Sequence, residues 1–164
     1  MTPAPETHVH GEERLSRAIP QYELRARYHG PEDLELEVWQ VPSKATPQLK
    51  APQRLAGLRG RNLALIEHRV LRRLRHVGIT MGGLPLDDVR RFPIDEDLAL
   101  NLGLLFRTLA PMRSLDNMRA CAEGIEAMGR EEAAYWLGMA MHRKNPRRVL
   151  FALRVLLTDP HRAR

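Results

Sequence analysis

The sequence predicts an α+β fold, mostly α, in which an N-terminal β-hairpin packs on a bundle of about five helices. Three observations carry that expectation. Apolar and polar residues alternate on both sides of His29-Gly30-Pro31, the period of half-buried strands. From about residue 54 the apolar spacing changes to three and four, the period of an amphipathic helix. Beyond Phe92, prolines, glycines and capping residues punctuate the chain at helix-length intervals. The 164 residues, 43% of them hydrophobic, suit one domain whose core needs no disulfide or metal.

Residues 1–18 lack periodicity and carry Pro3, Pro5 and Gly11, the marks of a flexible arm. The hairpin occupies 19–42. A turn centred on Pro31 would set Arg27 opposite Glu35 and Arg25 opposite Glu37 on one face. Leu24 would then face Val38, and Ala26 would face Leu36, on the other. Charge pairs and apolar pairs falling into one register is what cross-strand stabilisation requires. Two strands alone are marginal in water, so the apolar face must dock on helices, another strand or a partner.

Pro42 to Pro52 is a connector. Arg54 to Val77 reads as a long helix with Leu63, Ile66, Val70, Leu74 and Val77 on one face. Gly57 and Gly60 weaken its start, so its firm part begins near Arg61. Gly78 to Phe92 reads as a loop broken by Gly82, Gly83 and Pro85. Pro93 and Asp95 open a helix that ends at Pro111, with Asp95, Glu96 and Asp97 at its positive end. Ser114 caps a helix through Met118, Ala122 and Ile125 that Gly129 stops. Glu131 and Glu132 start the next, which carries the neighbours Tyr135 and Trp136. These point about 100° apart, so one packs in the core while the other makes a helix contact or is exposed. Asn145 and Pro146 open the last helix, which is apolar nearly all round (Val149, Leu150, Phe151, Leu153, Val155, Leu156) and therefore expected at the centre. The single domain spans 19–160, its bundle covers 54–160, and 161–164 form a frayed basic tail.

Most chemistries find no support. Cys121 is the single cysteine, which excludes an internal disulfide and a multi-cysteine zinc site. Its neighbours Met118, Ala122 and Ile125 mark it as a buried structural thiol. His8 and His10 lack a third metal ligand. Gly78, Gly82 and Gly83 lack the Lys-Ser/Thr that closes a phosphate loop. Glu37 stands where a nuclease carboxylate would, but Trp39 holds the position that needs a lysine. Glu123, Glu126, Glu131 and Glu132 lack the histidine of a di-iron bundle and read as first-turn and surface acids. The expectation is therefore no enzyme, no metal and no cofactor. The start of the chain is not a signal peptide and no apolar run approaches a membrane span, so the default is a soluble cytoplasmic protein without membrane contact.

Charge is the informative feature. The chain holds 23 arginines and 3 lysines, with a net charge of +6. Arg-rich composition can reflect a GC-rich genome, but clustering does not follow from it. Basic residues gather between Arg54 and Arg91 and again between Arg143 and Arg164, while the remainder is acidic on balance. On the long helix Arg61, His68, Arg69, Arg72, Arg75 and His76 share the arc opposite the apolar stripe. Arg69, Arg72 and His76 could meet one row of phosphates; alternatively the arc is a solvated face. At the junction of the last two helices, Arg143 and Lys144 suit the negative end of one helix. Arg147 and Arg148 oppose the positive end of the next. Together the four form an anion site, or they pair with acids such as Glu131 or Asp95.

The segments Gly103-Leu104-Leu105-Phe106, Gly124-Ile125-Glu126-Ala127-Met128, Glu131-Glu132-Ala133-Ala134-Tyr135-Trp136 and Arg154-Val155-Leu156-Leu157 together resemble an uncharacterised bacterial domain-of-unknown-function family. The resemblance covers residues 102–157, about a third of the chain, and leaves the hairpin and arm outside. It implies small proteins of phage-defence-like gene clusters, beside ATPases and DNA-modifying enzymes, and brings no catalytic residues with it. Two functions are then expected. One is an accessory subunit that contacts nucleic-acid backbone without reading sequence, through Arg61, Arg69, Arg72, Arg75, His76, Arg143, Lys144, Arg147 and Arg148. The other is a protein–protein adaptor that docks a larger partner on the hairpin edge or on Trp39, its arginines meeting an acidic surface.

Overall fold

The structure, a computed structural model, describes residues 20–159; the expected arm and basic tail lie outside the described residues. The hairpin forms as expected, from β1 (Gln21–Gly30) and β2 (Asp33–Val41). Its register sets Leu24 opposite Val38, Arg25 opposite Glu37, Ala26 opposite Leu36 and Arg27 opposite Glu35. It is not alone, however. β3 (Gln53–Arg59) pairs with β2, and β4 (Arg90–Ile94) pairs with β1, in an antiparallel sheet ordered β3-β2-β1-β4.

Both added strands correct the sequence reading. Arg54 to Arg59 does not begin the long helix. Leu55, Ala56 and Leu58 bury their side chains in the core, and a bulge opposite Val38 and Trp39 lets the adjacent pair Leu55 and Ala56 both do so. Gly57 leaves room for the Arg54 guanidinium, which crosses it to bond Glu37; a Cβ there would lie 2.1 Å from Arg54 Nη2. Gly60, at φ +65°, turns the chain from β3 into α1 (Arg61–His76). Likewise Pro93 belongs to β4, not to a helix, and pairs with Glu23. Proline is tolerated because β4 is an edge strand.

The helices follow the punctuation. In α1, Gly78 donates to Arg75 O and Ile79 donates to Leu74 O, both at 3.0 Å. That is the backbone pattern of a left-handed glycine cap, with Gly78 at φ +85°. Ile79 and Leu74 are buried against the same core, while Val77, expected on the buried stripe, is the cap residue and half exposed. Asp95 caps α2 (Glu96–Leu109) by accepting from Leu98 N. Ser114 caps α3 (Leu115–Glu126) through Asn117 N, and Asn145 caps α5 (Pro146–Thr158) through Arg148 N. Between the last two lies α4 (Arg130–His142).

The centre of the fold is α2, not α5. Ten of its residues are buried, because it lies between the apolar face of the sheet and helices α3 and α4. Gly103 gives it close approach to α4, where Leu137 sits 3.1 Å from the position a Cβ would take. By contrast α5 packs only one side on α3 and α4. It buries Leu150 and Leu153 and leaves Phe151 63% and Val155 49% exposed. One core runs through the sheet and the helices, and it includes Cys121, whose thiol burial holds protonated.

Candidate nucleic-acid interface

Two arginines inside the protein show how cations can be spent on the fold. Arg107, on the central helix, donates from Nε and Nη2 to Leu55 O at 3.1 and 2.6 Å. That carbonyl belongs to the bulge of β3, so the guanidinium ties α2 to the sheet. Arg73 of α1 donates to Asn101 Oδ1, and Asn101 donates onward to Ile125 O at 2.8 Å. One buried amide thus links α1, α2 and α3. Burial pushes the pKa of both guanidinium groups down, with Arg54 adding to the effect at Arg107.

The expected basic arc of α1 divides on this scaffold. Arg69 reaches Glu123 at 3.4 Å and Glu126 at 3.7 Å on α3, so these two glutamates neutralise it rather than standing alone as surface acids. Arg72, Arg75 and His76 are exposed, and none has a carboxylate within 4 Å among the described residues. The side chains of Arg61 and His68 lie outside the described part.

At the α4–α5 junction, Arg143, Lys144, Arg147 and Arg148 are all exposed. Among the described residues none of them forms an ion pair, with Glu131, Asp95 or any other acid. Asn145 stands between the two pairs and caps the helix that Arg147 and Arg148 open. Four cations with no local counter-charge, set at the positive end of a helix, can hold an anion by charge and by backbone N–H groups together.

The two clusters are not contiguous. Asn62 donates to Ala110 O beyond the C-terminal end of α2, whereas Arg73 bonds Asn101 in its first half. Helix α1 therefore runs antiparallel to α2. Arg130 at the start of α4 reaches Glu96 and Asp97 at 3.5 and 3.7 Å, and Leu137 lies against Gly103. Helix α4 therefore runs parallel to α2. Arg72, Arg75 and His76, next to Arg73, therefore lie alongside the N-terminal half of α2, and the α4–α5 junction lies near its C-terminal end.

The remaining expected site, Trp39, lies on the sheet face opposite the helices. Arg25 stacks over its ring at 3.9 Å from the centroid, and its indole N–H is buried without a hydrogen-bond partner among the described residues. The charges around it pair differently from the simple cross-strand scheme. Arg25 binds Glu23 at 2.6 Å, His29 binds Glu35 at 2.8 Å, and Glu37 takes Arg54. Glu37 is thus a partner in an ion pair on the outer face. The hairpin also has no outer edge, since β3 and β4 flank it and themselves form the edges of the sheet. Tyr135 is the exposed member of its pair and meets Trp136 edge-on at 5.7 Å.

Sheet, central helix and exposed arginine clusters together define a small α+β protein with no metal-binding group of His, Cys, Asp and Glu among its described residues. No helix among them is long and apolar enough to cross a membrane. The chain belongs to the family described as Domain of unknown function (DUF7680), whose profile matches residues 22–159. The match takes in all but the first residue of the sheet, well beyond the segments 102–157 that carried the resemblance. No curated protein and no solved structure matches the chain.

Proposed function

We propose that this protein is a non-enzymatic accessory subunit that contacts the phosphate backbone of nucleic acid, in the cytoplasm and within an assembly of the phage-defence kind. The observation that carries the reading is the α4–α5 junction, where Arg143, Lys144, Arg147 and Arg148 stand exposed and, among the described residues, without acids to neutralise them. Arg147 and Arg148 are the stronger half of that observation. Cations in the first turn of a helix oppose its dipole and cost a few tenths of a kcal/mol, a cost that a bound phosphate reverses. Arg72, Arg75 and His76 would form a second, separate contact beside the N-terminal half of α2, which favours an extended backbone over a compact anion. Arg69, engaged with Glu123 and Glu126, drops out of the binding set.

The reading predicts binding without sequence preference and with a steep salt dependence. Log affinity for duplex DNA should fall against log salt with a slope of about −0.9 for each phosphate neutralised. Anisotropy titrations with a labelled duplex across a salt series measure it directly. Affinity that ignores salt, or no affinity at low salt, would rule the reading out.

A further inference from the structure

The exposed side of α5 raises a separate question, because a phosphate backbone has no use for the apolar residues there. Phe151 and Val155 stand one turn apart on that side, 63% and 49% exposed. They form one wall of a cavity of about 300 Å³ between α5 and the turn joining α2 to α3. Met112 and Ser114 contribute to the opposite side. The charged residues that line it are Arg113 and Arg154, and among the described residues neither has a carboxylate within 4 Å. Arg154 donates from Nε to Leu150 O at 3.3 Å, which holds its guanidinium along the helix beside the opening. Ser114 is the cap of α3, so the positive end of that helix faces the same cavity.

Such a surface combines an aromatic and a branched aliphatic side chain with positive charge of one sign. Leaving Phe151 and Val155 in water forgoes burial of the kind that anchors protein interfaces. A second copy of the chain is a poor occupant. A two-fold contact on this face would bring Arg113 and Arg154 of one copy near those of the other, and like charges across an interface repel. A complementary occupant is acidic and carries apolar anchors.

We propose that this groove docks an acidic segment of a partner protein. The segment seats apolar side chains against Phe151 and Val155 and places carboxylates on Arg113 and Arg154. The inference does not rest on the nucleic-acid reading, since it uses none of the four junction cations. It does give an accessory subunit a place to meet its partner.

The test uses the full chain and a defined probe, a short fluorescein-labelled peptide in which leucine and phenylalanine alternate with glutamates. Saturable binding is expected, and Phe151→Ser together with Val155→Ser should weaken it about tenfold or more. Both side chains are exposed, so the variant keeps its fold, as its circular dichroism melt should show. A peptide with serine in place of its apolar residues tests the same contact without altering the protein, and should bind at least as poorly. Arg113→Glu should weaken binding of the original peptide. The proposal fails if the wild-type chain does not bind the peptide, or if binding survives these changes. It also fails if unlabelled duplex DNA displaces the peptide as well as unlabelled peptide does, because the groove would then recognise charge alone. Self-association in light scattering that Phe151→Ser abolishes would likewise overturn it in favour of a second copy.

Discussion

Helix α1 and the α4–α5 junction both carry a cluster of basic residues, yet the fold engages part of the first and none of the second among the described residues. On α1, Arg73 is drawn inside to Asn101 and Arg69 is held by Glu123 and Glu126. At the junction, no described acid comes within ion-pair distance of Arg143, Lys144, Arg147 or Arg148. The difference is one of position. α1 packs against β2, β3 and α3, so the cations on its packed side, Arg69 and Arg73, meet what the helices present. The junction lies at the end of the helical layer, where the chain turns and no acid among the described residues answers its charge. A basic cluster in a sequence is thus two different objects according to which elements reach it.

That comparison can be broken by mutation. The largest effect on stability should come from Arg73→Ala, which leaves the buried Asn101 Oδ1 without its donor. A loss of about 1–3 kcal/mol is expected, read from urea denaturation. Arg69→Ala should cost less, up to about 1 kcal/mol, because the pair with Glu123 and Glu126 is partly exposed. Arg147→Ala with Arg148→Ala should leave stability within about 0.5 kcal/mol or raise it slightly, since the helix start loses two unfavourable charges. A large destabilisation there would show that the junction is structural after all.

The smallest effect is a pH dependence at the sheet edge. Arg59 binds Asp33 at 3.0 Å and, chiefly through that hydrogen bond, holds the Asp33 carboxyl below its usual range. A carboxyl with a lowered folded-state pKa stabilises the protein above its unfolded-state pKa. That stability is lost as pH falls through the folded value. Asp33→Asn should therefore lower stability slightly at neutral pH and flatten the acid side of the profile, the two proteins converging once Asp33 is protonated. A variant as stable as the wild type at neutral pH, with the same slope on the acid side, would contradict the pairing.

The hairpin was legible in the sequence because period-two alternation and a proline turn fix register together. Its side-chain partners were not. The charges on β1 and β2 also see Arg54 and Arg91, which arrive on strands that local pattern does not reveal. β3 breaks alternation at its bulge and contains Gly57, while β4 is short and contains Pro93. Caps at Asp95, Ser114 and Asn145 were legible because each is a local hydrogen bond. The place of α5 was not. Apolar residues all round suggested a central helix, but α2 takes the centre by touching both sheet and helices, and α5 keeps an open apolar side.

The same limit applies to the candidate interface. The helical wheel places Arg69 beside Arg72 and Arg75, but Glu123 and Glu126 come from a helix some fifty residues further along the chain. Arg147 and Arg148 were legible as oddly placed cations because the helix dipole is a local property. Whether acids answered them could be learned only from the assembled fold. The groove beside Phe151 left no signal in the sequence beyond an apolar side that fitted a core equally well.

The most direct test sets the junction against α1 in one binding experiment. Duplex DNA affinity should be measured across salt for three proteins. These are the wild type, a variant with Arg143, Lys144, Arg147 and Arg148 all changed to alanine, and Arg69→Ala. The account predicts that the fourfold variant loses most of the affinity, and that its salt slope becomes shallower by about 0.9 for each phosphate contact removed. Arg69→Ala should bind like wild type. Equal binding by the wild type and the fourfold variant, or a larger loss in Arg69→Ala, would contradict it.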